Sequence, residues 1–166
     1  MPISTPQSRT ISLDGPIVAT VDLDRSPPDA ECPFCAIIAD RAPAREVLRT
    51  DRIIAFLPDV PAVRGHVLVV PRKHVDYIWR LDRAIGCDLA DAVRLVSSAV
   101  VESTRADGLN VIQSNGEAAG QSVFHLHVHI VPRHRGDRMP ELWPPDAIWS
   151  PEVLDKVAAE LAASLM

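Results

Sequence analysis

The chain has 166 residues, 17 Lys and Arg against 22 Asp and Glu, and a formal net charge of −5. With 47% hydrophobic and 23% charged residues it has the material for one cored domain rather than a disordered chain. The acid excess argues against bulk nucleic-acid binding, no apolar run reaches bilayer length, and MPISTPQSRTISLDGP lacks a signal-peptide layout. A cytoplasmic protein without nucleic-acid or membrane partners is therefore expected.

In chain order, residues 1–31 read as an extension of scattered Pro, Ser and Asp, with Pro16–Leu23 as one candidate strand. CPFCAIIAD predicts a short helix from Cys32, ended by Ala42-Pro43. Two strands follow, Arg45–Arg49 and Arg52–Leu57, with Thr50-Asp51 as their turn, and then a β-branched strand in HVLVVP after Gly65. From Asp88 to Arg105, Leu89, Ala92, Val93, Val96 and Val100 recur at the helical period and predict a long amphipathic helix. Leu109–Gln113 and Val123–Val131 read as an antiparallel pair around the turn-rich SNGEAAG. Beyond Arg133 the chain turns polar and proline-rich, and a last helix is expected with Ser150 as N-cap and Pro151 at its first position. Its apolar stripe is Val153/Leu154, Val157 and Leu161. The order β-β-β-α-β-β predicts an α+β fold, an antiparallel five-stranded meander with its helices on one face. The expected organisation is an extension to residue 31, a functional domain over 32–135 and a tail over 136–166.

The chemistry concentrates in GQSVFHLHVHIVPR, which holds His125, His127 and His129, three of the six histidines. In a strand, successive side chains point to opposite faces. The three imidazoles then share one side, while Phe124, Leu126, Val128 and Ile130 share the apolar side that packs under the long helix. Three neighbouring imidazoles repel if all are cationic, so neutral rings are expected at pH 7. A neutral ring whose second nitrogen keeps its proton on a fixed acceptor is a competent nucleophile. The alternative is a metal-dependent hydrolase using the histidines as ligands. Neutral donors at Asn115, Gln121 and Ser122, glycines at 116 and 120, and the scarcity of carboxylates nearby favour the nucleophile on a phosphate group.

GQSVFHLHVHIV resembles the histidine-triad pattern, and the likeness continues through NGEAAG, GHVLVVPRKH and CPFCAIIADRAP, over about residues 32–135. That family comprises homodimeric nucleotide-binding hydrolases and transferases. The resemblance implies a purine nucleotide or dinucleotide substrate, a homodimer, and cleavage of a nucleotidyl phosphoramidate or phosphoanhydride bond. His127 matches the nucleophile that forms a nucleotidyl-histidine intermediate, and His129 and His66 match the histidines that set its protonation. Ser122 matches a hydroxyl on the leaving group or phosphate, and Asn115 and Gln121 match phosphate contacts; Gly120 is a further nucleotide-binding candidate because its backbone can approach a ligand closely. The chain departs at Phe56-Leu57-Pro58-Asp59: the family's ribose-binding aspartate aligns with Pro58, leaving Asp59 one residue late. A nucleotide sensor with little turnover is the rival outside enzymology.

Cys32-x-x-Cys35 has metal-ligand spacing but supplies only two ligands, and two buried structural thiols are the alternative. In family members with this pair, a structural zinc is completed by two histidines; the matching positions are His74 and His125. No catalytic metal is implied. Cys87 has no partner in the sequence, and Trp143 and Trp149 are candidates either to cover a nucleobase or to pack a dimer interface.

Overall fold

A computed structural model describes residues 32–138 and 148–165. The candidate strand at Pro16–Leu23 and Trp143 lie outside the described residues. Helix α1 spans Pro33–Ile38, and strands β1 (Arg45–Arg49), β2 (Ile53–Leu57) and β3 (Val67–Pro71) follow as an antiparallel meander. Helix α2 (Arg83–Thr104) then carries the chain over the sheet to β4 (Gly108–Ile112), and β5 (Val128–Arg133) returns between β3 and β4. The spatial order is therefore β1-β2-β3-β5-β4, all neighbours antiparallel. The meander holds for three strands, and the helical crossover places the histidine strand inside the sheet rather than at its edge.

Strands β2 and β3 are buried on both faces, which their unbroken apolar runs IIAFL and VLVV encode. Ile53, Ala55, Val67 and Val69 meet Leu89, Ala92, Val96 and Val100 of α2, together with Leu126, Val128 and Ile130. Ile54, Phe56, Leu68 and Val70 pack instead with Cys32 and Phe34 at α1. This corrects one expectation: the two helices cover opposite faces of the sheet, because every residue of these strands needs an apolar partner.

α2 also begins earlier than Asp88. Asp82 caps it, its carboxylate accepting from the N–H groups of Ala84 (2.9 Å) and Ile85 (3.4 Å). A left-handed Arg105 ends it. The described residues fall into two compact units, one running to Asp137 and containing α1 to β5, the other containing α3 (Pro151–Ser164). In α3 Ser150 accepts from the Val153 N–H at 3.4 Å with Pro151 at the first turn, as expected. Trp149 just before it is 61% exposed.

Candidate active site

β5 starts at Val128, five residues later than the alternation suggests: its ladder with β3 ends at the Val69–Val128 pair, although β3 itself runs on to Pro71. Past that pair the two segments exchange other bonds: the Leu126 N–H donates to the Val75 carbonyl at 2.6 Å, and the His125 ring Nε2–H donates to the Pro71 carbonyl. The alternation nevertheless survives outside the ladder. Leu126, Val128 and Ile130 enter the α2 core, while His125 and His127 meet the Phe34 ring on the α1 side.

Each cavity-lining imidazole has a defined tautomer. His127 Nδ1 lies 2.7 Å from the His125 carbonyl, an acceptor only, so Nδ1 carries the proton and Nε2 its lone pair. The Ala62 N–H donates to His66 Nδ1 at 3.1 Å, which puts the His66 proton on Nε2. That nitrogen sits 2.9 Å from His129 Nδ1 and donates to it, so His129 keeps its own proton on Nε2. The His66 and His129 rings stack at 5.1 Å, and those of His127 and His129 meet at 4.9 Å. Burial is the main force on all three: it lowers the pKa of His127, lowers that of His66 with help from the neighbouring His127, and drives His129 down to about 4 with help from His127 and His66. The trio is neutral at pH 7.

These rings open on a cavity of about 340 Å³, walled by Phe34, Ile37, Phe56 and Leu68 and reached by Ser122. Gly65 delivers His66 to it. Its φ of +89° and a position where a Cβ would lie 2.5 Å from Thr104 Cγ2 admit no other residue without displacement. Asp59 and Pro58 lie on the rim, but the Asp59 side chain is 93% exposed and turned to Arg45 at 3.3 Å.

Asn115, Gly120 and Gln121 build the loop that presents Ser122. Gln121, 3% exposed, accepts the Gly116 N–H at 2.7 Å and donates to the Asp76 carbonyl at 2.9 Å and the Val123 carbonyl at 3.2 Å. Asn115 accepts from the Ile78 N–H at 2.9 Å and exchanges bonds with Gln113. Gly120 closes the Glu117–Ala119 turn at φ +82°. Arg133 is occupied by Asp137 and, at 2.6 Å, Asn110.

On the other side of Phe34, Cys32, Cys35, His74 and His125 gather their ligand atoms within 4.8 Å of one another. Cys35 Sγ lies 3.2 Å from His74 Nδ1 and 3.5 Å from His125 Nδ1, and Cys32 Sγ lies 3.5 Å from His125 Nδ1. A tetrahedral zinc with ordinary Zn–S and Zn–N bonds separates sulfur and nitrogen by about 3.6 Å, so the set has the dimensions of a Cys2His2 site. The His125 tautomer also suits it: Nε2–H donates to the Pro71 carbonyl at 2.8 Å and leaves Nδ1 facing the thiols. His66, His127 and His129 belong to no such cluster among the described residues. A larger open groove of about 600 Å³ lies between the β1–β2 turn and α2, but it contains no imidazole or thiol, and its Arg52 and Asp88 pair at 3.0 Å.

Sequence reasoning missed Phe34, the ring between the two cysteines, and the backbone groups of Ala62 and Pro71 that fix tautomers. An aromatic between two ligand-type cysteines was the available signal for the first; carbonyl and amide directions carry no signal in residue identity.

Comparisons with known proteins agree with this geometry. Residues 39–136 match the family model of the HIT domain. The Bacillus subtilis Protein hit is 35% identical over 136 residues, 81% of this chain and 94% of its own. The adenylylsulfatase HINT3 of Arabidopsis thaliana is 32% identical over 80% of this chain and 66% of its own, and the adenosine 5′-monophosphoramidase hnt1 of Schizosaccharomyces pombe is 30% identical over 81% and 98%. Among solved structures, SMU.412c from Streptococcus mutans superposes with a TM-score of 0.78 at 32% identity, covering 82% of this chain and 86% of that one. A zinc-bound histidine triad family protein from Mycobacterium smegmatis superposes with a TM-score of 0.64 at 31% identity, covering 83% and 95%.

Proposed function

The chain belongs to the HIT-domain family, and from that premise we propose that it hydrolyses a nucleotidyl phosphoramidate or phosphoanhydride bond through a nucleotidyl-His127 intermediate. The observation that carries this reading is the His127 Nδ1–H fixed on the His125 carbonyl at 2.7 Å, which leaves Nε2 unprotonated beside the cavity. Two related enzymes whose names specify adenylyl substrates support the same substrate class.

In the reaction so read, the apolar wall of Phe34, Phe56 and Leu68 receives a purine base, and the α-phosphate lies against the imidazoles. His127 Nε2 attacks phosphorus in line, forming the P–N bond as the bond to the leaving group breaks. The His129 Nε2–H and the Ser122 hydroxyl donate to the phosphate oxygens or the leaving group, where charge accumulates. Asn115, Gly120 and Gln121 hold the loop on which Ser122 depends. Water then displaces His127 from phosphorus and releases the nucleoside monophosphate. Asp59, paired with Arg45 on the rim, contributes at most at the ribose end.

The same reading includes a structural zinc at Cys32, Cys35, His74 and His125, supported by the fit of that donor set and by the zinc-bound relative. A closed set of four protein ligands leaves no position for water or substrate, so the ion would staple α1 to the histidine segment. It also includes a homodimer working in the cytoplasm. No described helix is long and apolar enough to cross a membrane.

The test is a panel of adenosine phosphoramidate, adenylylsulfate and dinucleoside polyphosphate with wild type and His127→Asn. Turnover of at least one compound is expected in wild type, with a loss of about 10³-fold or more in the variant and AMP binding kept, as for removal of a covalent nucleophile. Undiminished turnover by pure His127→Asn rules the assignment out.

A further inference from the structure

Helix α1 belongs to two sites at once. Cys32, its N-cap, and Cys35 direct sulfur to His74 and His125, whereas Phe34 and Ile37 wall the cavity. The Phe34 ring stands edge-on to His125 at 5.9 Å, to His127 at 5.2 Å and to Phe56 at 5.5 Å. It is 8% exposed.

The helix has six residues, no side-chain cap, no acidic residue in its first turn and no basic one in its last. A helix this short is far below the length that holds itself together, so its position is set by what it touches. Its anchors are the sheet face made by Ile54, Phe56, Leu68 and Val70 and the thiol–imidazole cluster. His125 connects the same two sites through the backbone: its ring faces the thiols, and its carbonyl holds the His127 proton.

We propose that Cys32, Cys35, His74 and His125 form a metal-responsive positioning element for the nucleotide cavity, so that a bound ion and a nucleotide reinforce each other through Phe34. This rests on the metal and nucleotide readings above and goes beyond a staple, which would stabilise the fold without favouring one ligand over its absence. With four donors satisfied by one ion, α1 is pinned at its N-terminal turn and the Phe34 ring is held against His127. With a base stacked in the cavity, the ring is held from the other side, and the cysteines with it. Coupling of this kind is reciprocal by thermodynamic necessity.

The test uses the full-length chain carrying cobalt(II), whose visible bands report ligand type and geometry, titrated with AMP. Thiolate–cobalt bands of a tetrahedral site are expected, and saturating AMP shifts them. It also tightens cobalt affinity about tenfold, within the usual range of coupling between sites. Phe34→Ala binds cobalt in the same stoichiometry, but at AMP concentrations that calorimetry shows to saturate the variant its bands no longer respond and the gain in affinity falls below about twofold. Phe34→Leu, which refills part of the space, recovers part of the response. If the bands appear and calorimetry shows AMP bound while the spectrum stays still, the coupling is refuted and both underlying sites stand. A full spectral response in Phe34→Ala refutes it too. Absence of thiolate–cobalt bands removes the metal site, and absence of AMP binding removes the nucleotide site; the coupling goes with either.

Discussion

At the scale of single residues, the site is a set of protons assigned by backbone. The Ala62 N–H fixes His66, His66 fixes His129, and the His125 carbonyl fixes His127. Burial keeps the His66–His129 pair neutral, with His129 near 4. The sign of the pH effect follows. These groups have folded pKa values below the unfolded histidine value of about 6.5, so between the two the unfolded chain binds more protons than the folded one. Stability conferred by the neutral pair is therefore whole above about pH 6.5 and declines as pH falls toward their folded values. The acid limb of kcat/KM should likewise have its midpoint below 6.5, read from a pH–rate profile over the range in which the protein stays folded. A midpoint at or above 6.5 means that the imidazoles are not desolvated as described. His66→Ala should lower kcat more than it raises KM, because the His129 tautomer loses its donor while the apolar wall remains.

At the scale of elements, the two-sided burial of β2 and β3 makes their core residues costly to truncate. Leu126→Ala, a fully buried change in the α2 core, should cost about 2–5 kcal/mol in denaturant unfolding. Gly65→Ala adds a Cβ against Thr104 at positive φ and should cost about 1–3 kcal/mol while also displacing His66, so both stability and turnover fall. Loss of one cluster ligand is a sharper test of α1. His74→Ala should reduce bound zinc from one per chain to near zero and lower the melting temperature, measured by metal analysis and calorimetry on the same sample; a variant that still holds a full equivalent removes His74 from the ligand set.

What was legible at this scale followed side-chain periodicity. α2 announced its core stripe, and the β3 run was unmistakable. From His125 onward the histidine alternation reported facing correctly even where no strand exists, because extended backbone alternates with or without a ladder, whereas Phe124 departs from it and stands edge-on to Tyr77 rather than in the α2 core. The strand order was not legible: nothing in Leu109–Gln113 or the histidine segment states that β5 inserts beside β3, since insertion depends on pairing between residues about sixty positions apart. The placement of α1 opposite α2 was readable in principle from the unbroken apolar runs of β2 and β3. Asn115 and Gln121 show the limit for polar residues: an amide suited to phosphate is equally suited to a backbone group or another amide, and residue identity does not tell which it meets.

At the scale of the molecule, one sheet carries the histidine-lined cavity and the thiol–imidazole cluster on either side of Phe34, with α2 on the opposite face. The described edge strand β4 exposes Val111 at 52%. A homodimer predicts sedimentation at twice the 18.1 kDa chain mass, and a monomer at micromolar concentration removes that part of the reading. Hydrolysis through a covalent intermediate depends on the bond formed at His127. Mass spectrometry of wild type mixed with adenosine phosphoramidate and quenched in alkali, where the P–N bond persists, measures it most directly. The expected result is one adenylyl group mapped to the peptide containing His127, formed and lost at rates matching turnover. Turnover with no adduct at any time, or an adduct on another residue, contradicts the account.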